Sequence, residues 1–132
     1  MFLSKTSEYA LKVLSHMALN NKTLFSAQDL FEVLGIPKRY LMRLLTTLSK
    51  SGFIRATRGR NGGYVFARPL ESIYFSEIIN SVEGLDSFEG CLLGNKICPI
   101  DKPCVMHHIW VVPKEAFLET IKNTTLADLM VK

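Results

Sequence analysis

The chain has 132 residues, 48% of them hydrophobic and 21% charged, with a formal net charge of +4. That balance suits one folded core with room for a protruding arm, and it excludes an intrinsically disordered chain. No run of about eighteen apolar residues occurs, and Lys5, Glu8 and Lys12 interrupt the first apolar stretch, so neither a membrane span nor a secretory signal is expected.

The charge is unevenly placed. Residues 1–70 hold 11 Lys and Arg against 3 Asp and Glu, a balance of +8, while residues 71–132 hold 5 against 9, a balance of −4. A basic first half points to a polyanion partner for that half alone. Cysteine usage is odd-numbered, at three, which argues against a purely disulfide framework and fits a cytoplasmic protein with reduced thiols.

Taken in chain order, Tyr9, Ala10, Val13, Leu14, Met17 and Ala18 recur at helical spacing and predict an amphipathic helix from about Thr6 to Asn20. Ser26 with Asp29 has the form of a capping box, and Leu30, Phe31 and Leu34 give the helix that follows its apolar side. Gly35 suits the left-handed position that ends it. Pro37 then sits where a helix tolerates proline, at its start, and a third helix runs to about Ser51 and closes at Gly52. Leu41, Leu44, Leu45 and Leu48 face inward, whereas Lys38, Arg39, Met42, Arg43, Thr46 and Lys50 face out. Two short helices around a glycine-containing turn form a helix-turn-helix candidate, and the third helix is the reader, most basic at the end that enters a major groove.

Phe53–Thr57 and Tyr64–Ala67 are β-type runs flanking Arg58-Gly59-Arg60-Asn61-Gly62-Gly63. They predict a hairpin wing whose narrow, flexible, basic tip fits a minor groove. The order of its glycines is not that of a phosphate-binding loop. Candidate DNA contacts are therefore Lys38, Arg39, Tyr40, Arg43 and Lys50 on the reading helix and Arg58, Gly59, Arg60 and Asn61 on the wing. Arg39 and Arg43 suit base edges, since a guanidinium pairs twice with guanine, and Lys38, Lys50 and Arg68 suit phosphates.

After a helix over Phe75–Val82, the stretch from Gly84 to Pro103 lacks any helix or strand period. Cys91, Cys98 and Cys104 are the only cysteines, spaced C-x6-C-x5-C, and His107 follows at C-x2-H. A compact domain rarely keeps so long an irregular loop without a function for it. Thiolates gathered with an imidazole give that function a chemistry, metal ligation or redox sensing.

The run from Tyr40-Leu41 through Leu44-Leu45-Thr46-Thr47-Leu48 to Arg58-Gly59-Arg60-Asn61-Gly62-Gly63-Tyr64 resembles the Rrf2 family of bacterial winged-helix regulators. Ile78-Ile79, Val82-Glu83-Gly84, the three cysteines, Trp110 and Thr125-Leu126-Ala127-Asp128-Leu129 continue the likeness over nearly the whole chain. The resemblance implies a homodimer joined through a long helix after the cysteine loop and bound to palindromic double-stranded promoter DNA. It also implies a 2Fe–2S or 4Fe–4S cluster on Cys91, Cys98 and Cys104. Two residues compete for the fourth ligand: His107 matches the histidine of the family's cluster-biogenesis regulator, and Glu8 matches an N-terminal carboxylate other members supply from the partner subunit. The spacing of six before Cys98 exceeds that regulator's five, and Met42 replaces its acidic residue on the reading helix, so its operator does not carry over.

The expected fold is mainly α with a small β-hairpin wing: a winged helix-turn-helix over 1–83, a cluster-binding loop over 84–103, and a dimerisation helix with a C-terminal segment over 104–132. Pro113 predicts a kink or break near Ile109–Val112, after which the stripe Phe117, Leu118 and Ile121 is expected to serve between subunits. Two other regulators share every DNA argument, one with a structural Cys3His zinc site and one with a metal-free switch pairing Cys91 with Cys98 or Cys104. No acid/base or nucleophile constellation exists beyond the cysteines. An enzyme with a small-molecule substrate is not expected.

Overall fold

The computed structural model describes residues 3–20, 23–85 and 107–130, the side chains of His107, His108 and Trp110 excepted. Expectations placed on Cys91, Cys98, Cys104 and the His107 imidazole lie outside the described residues. Three helices, α1 (Lys5–Leu19), α2 (Ala27–Leu34) and α3 (Lys38–Lys50), precede strands β1 (Ile54–Thr57) and β2 (Gly63–Phe66). After a 3-10 turn at Leu70–Ser72 come α4 (Phe75–Val82), α5 (His107–Asn123) and a C-terminal 3-10 helix, Leu126–Met130. This is the mainly helical winged architecture that the sequence predicts.

Local chemistry explains the boundaries. Ser4 Oγ accepts from the Ser7 N–H at 3.1 Å and starts α1, and Ser26 Oγ accepts from the Asp29 N–H at 3.0 Å to start α2. Gly35 ends α2 at φ 67°, its N–H donating to the Phe31 carbonyl at 3.0 Å. Leu41, Leu44, Leu45 and Leu48 are all buried, one face of α3, and join Val13, Leu14, Leu30, Ile73, Ile78 and Leu126 in the main core. Each such burial stabilises the fold by about 1.5–3 kcal/mol before entropy is counted.

The wing is more firmly seated than its glycines suggest. Strands β1 and β2 pair antiparallel, Ile54 opposite Phe66 and Thr57 opposite Gly63. Beyond them Phe25 acts as a third partner: its N–H donates to the Tyr64 carbonyl at 3.0 Å and its carbonyl accepts from the Tyr64 N–H at 2.7 Å. The segment between α1 and α2 therefore holds β2 beside the tip turn. At the tip the Gly62 N–H donates to the Gly59 carbonyl at 3.0 Å, while the Thr57 hydroxyl accepts from the Gly63 N–H at 3.2 Å. The expected flexible tip is a hydrogen-bonded turn.

Of the kink or break expected near Ile109–Val112, the break does not occur: α5 runs unbroken from His107 to Asn123 with Pro113 inside it. The proline lacks a donor for the carbonyl four residues back and crowds that turn, while the bonds on either side carry the helix past it. Phe117, Leu118 and Ile121, expected between subunits, also pack within the chain: Ile121 is buried with Ile79, and Leu3, Phe75, Leu85, Phe117 and Leu118 lie half-buried around them in a second cluster. Among the described residues, the large apolar side chains exposed on α5 are Ile109 and Val112, at 60% and 66%.

Candidate nucleic-acid interface

Helix α3 presents Lys38, Arg39, Met42, Arg43 and Thr46 around one shallow concavity on its outer side. All five are exposed, and among the described residues none of the four cations Lys38, Arg39, Arg43 and Lys50 forms an ion pair. The helix begins at Pro37 with no side-chain cap, and no acidic residue stands in its first turn. Two cations at the positive end of a helix dipole oppose local stability by a few tenths of a kcal/mol, ~0.3 each or more. Such a conflict is relieved when an anion lies against the exposed N–H groups. Lys50 stands in the last turn, where the dipole favours a cation.

The wing tip places Arg58, Gly59, Arg60 and Asn61 in solvent. Gly59 has φ 113°, a conformation that side chains rarely adopt, and this sets the turn that carries the two arginines.

Two expected DNA contacts have partners inside the fold. Tyr40 is half-buried, its hydroxyl against that of Thr6 and its ring edge-on to Tyr9 at 5.2 Å, so it fastens α3 to α1. Arg68 is a structural arginine. Its Nη1 and Nη2 donate to Glu77 Oε2 and Oε1, both at 3.1 Å, its Nε to Ser72 Oγ at 3.2 Å, and Nη2 also to the Ser72 carbonyl. The guanidinium also lies 5.8 Å from the Phe53 ring, tying the exit of the wing to the start of α4. Four of the five guanidinium N–H groups are thus engaged inside the fold, so the group is held by Glu77 and Ser72.

Glu77 also accepts from the Tyr74 N–H at 3.2 Å. Desolvation pushes its carboxyl up, but the Arg68 hydrogen bonds, the Tyr74 N–H and the Arg68 charge outweigh it, and the balance lies below the ordinary value. A depressed carboxyl adds stability above its unfolded pKa and loses it as pH falls through the folded one. The melting-temperature difference between wild type and Glu77→Gln should therefore be full at neutral pH and shrink with acidification below the carboxylate range. Thermal melts across that range check this; a difference constant with pH would mean the pair is not formed.

Of the cluster-ligand candidates, Glu8 can be placed. It is half-buried in the first turn of α1, with Oε2 3.3 Å from Lys5 Nζ. Among the described residues no three His, Cys, Asp or Glu side chains gather into a metal site. Nor is any helix there long and apolar enough to cross a membrane.

The model of a family described as an iron-dependent transcriptional regulator, Rrf2, matches residues 3–132. The chain belongs to the Rrf2 family. Rrf2 proteins are DNA-binding transcriptional regulators and not enzymes. A protein of Aquifex aeolicus described as an HTH-type transcriptional regulator is 33% identical over 132 residues, 98% of this chain and 92% of that one. Among solved structures, the oxidised form of Staphylococcus aureus CymR matches at 26% identity and TM-score 0.77, covering 100% of this chain and 98% of that one. T. potens IscR matches at 25% identity and TM-score 0.74, covering 97% and 85% respectively.

Sequence reasoning missed one polar junction altogether. Glu83 Oε2 accepts from the Ser4 N–H at 3.1 Å and from the hydroxyls of Ser4 and Ser7. Its only sequence signal is the Val82-Glu83-Gly84 motif, which carries no role by itself.

Proposed function

We propose that this Rrf2 protein is a cytoplasmic homodimer that reads pseudo-palindromic promoter DNA under the control of its cysteine segment. The observation that supports this best is the uncapped first turn of α3, whose cations have no ion-pair partner among the described residues. Arg39 and Arg43 read base edges, Lys38 and Lys50 hold phosphates, and Arg58, Gly59, Arg60 and Asn61 enter the minor groove. Ile109 and Val112, exposed three residues apart on α5, supply the apolar face against a second copy.

Cys91, Cys98 and Cys104, with His107 or Glu8 as the fourth ligand, would hold a 2Fe–2S or 4Fe–4S cluster. Three thiolates with one imidazole or carboxylate are a donor set suited to iron–sulfur ligation. Bound there, the cluster supplies one-electron redox chemistry and a reaction site for oxidants or nitric oxide. The chain's own residues transmit its state: the cysteine segment joins α4 to α5, so its ligation biases the population of DNA-competent dimers.

A second reading, reversible thiol oxidation without metal, is favoured by the likeness to CymR in an oxidised form. One experiment separates the two. Protein purified without air should show visible charge-transfer absorption with iron and acid-labile sulfide, lost in Cys98→Ala, and its affinity for a selected duplex should change with that loss. Colourless protein whose peroxide product contains a Cys91 disulfide supports the thiol switch. Zinc without sulfide would leave only a structural site.

A further inference from the structure

We infer that Glu83 is a positioning residue for DNA reading: it fixes the first turn of α1 and, through Thr6 and Tyr9, the Tyr40-bearing first turn of α3. The inference rests on the DNA-reading assignment of α3 given above.

Glu83 is the C-terminal cap of α4, and Gly84 leaves the helix at φ 82°. One of its oxygens gathers three donors from the start of α1, the Ser4 N–H and hydroxyl 79 residues away in sequence and the Ser7 hydroxyl 76 away. Ser7 is fully buried, so its hydroxyl depends on this partner, and a carboxylate at the N-terminal end of a helix is further favoured by the dipole. Rotation and advance of α1 are thereby set from α4.

Helix α1 passes this setting on to α3. Thr6, beside Ser7, meets the Tyr40 hydroxyl, and Tyr9, on the same turn, meets the Tyr40 ring edge-on at 83°. Tyr40 directly follows Lys38 and Arg39. A cleft of about 210 Å³, lined by Thr6, Tyr40, Arg43, Leu44, Thr47 and Val82, runs beside these contacts. The Thr6–Tyr40–Tyr9 contacts therefore join the burial of Leu41 in setting the register of the cationic turn. In sequence Glu83 stands eight residues before Cys91, so the junction also marks where the cysteine segment joins the reading head.

The test compares affinity for the duplex that wild-type protein selects from a randomised pool with affinity for a scrambled duplex of equal length, at fixed salt. Glu83→Ala removes a negative charge and takes the formal net charge from +4 to +5; electrostatics alone would strengthen binding to both duplexes. We expect the opposite for the selected duplex: its preference over the scrambled one should fall about tenfold. Glu83→Gln, which keeps an acceptor oxygen, should recover most of the preference. Ser7→Ala should move in the same direction as Glu83→Ala and serves if that variant does not fold. Glu83→Ala and Tyr40→Phe should combine non-additively, as contacts in one relay do. Ile73→Val, a destabilising change in the main core outside α1, α3 and α4, is the control. Unchanged preference in Glu83→Ala or Ser7→Ala, or equal loss in Ile73→Val, overturns the inference. A wild type that selects no duplex overturns the DNA-reading assignment itself, a result distinct from either.

Discussion

Leu126→Ala is expected to destabilise the protein by ~2–5 kcal/mol, the range for truncating a fully buried leucine. Leu126 has no exposed surface and lies in the main core with Leu14, Leu41 and Ile73. Its surroundings cannot easily collapse into the void. The Leu126 N–H donates to the Ile73 carbonyl at 3.0 Å, the Phe75 N–H donates to the Thr124 carbonyl at 2.9 Å, and Asp128 Oδ2 accepts from the Thr125 N–H at 2.8 Å. These bonds pin the backbone on both sides of the missing side chain. Met130, at the end of the same 3-10 helix, is 53% exposed, and its replacement by alanine should change stability by no more than about 0.5 kcal/mol. Urea titration compares them through the midpoint at constant m. Equal midpoints would mean that the C-terminal helix is not part of the core. The expected result makes the last residues of the chain a component of the DNA-binding head, contiguous with α1, although they follow the cysteine segment in sequence.

Gly63→Ala is expected to cost ~1–3 kcal/mol, the usual toll of overpacking, and to weaken DNA binding with it. A Cβ at Gly63 would stand 2.7 Å from the Phe25 carbonyl oxygen and 3.2 Å from the Ser26 nitrogen. Both obstacles are backbone, so no side-chain rotation relieves the contact. Retreat of the Phe25 segment would break its two hydrogen bonds with Tyr64 and release β2 beside the wing tip. Gly59 offers a contrast: space around it is open, and alanine there is strained only by φ 113°. Denaturant midpoints for both variants, with affinity for the selected duplex, test the account. A Gly63→Ala protein as stable as wild type would show that the Phe25–Tyr64 bridge does not form.

The periodic helices were legible because their cause is local. Leu41, Leu44, Leu45 and Leu48 share a face by helical spacing alone, and all four are buried. Ser26 and Gly35 mark the ends of α2 through bonds to residues three and four away. The internal partners of Arg68 were hidden for the complementary reason. A basic residue after a basic wing reads as a phosphate contact, and Glu77, nine positions on, meets it only in the fold. Those of Tyr40 were hidden likewise, since the spacing that exposes its neighbours leaves it at the edge of the buried face, within reach of Thr6.

Sequence by itself determined which segments are helices, where they stop, which face of α3 is apolar and which is cationic, and that three thiols fall in one irregular stretch. Those properties are set by 3.6-residue periodicity, capping chemistry and charge, all acting within a few residues. Only the tertiary structure decided that Arg68 clamps the wing, that Ile121 is buried against Ile79, that Phe25 joins the sheet, and that Glu83 accepts from the start of α1. Each of those outcomes depends on a partner brought close by the packing of other elements, and no local pattern carries the address of a residue 79 positions away.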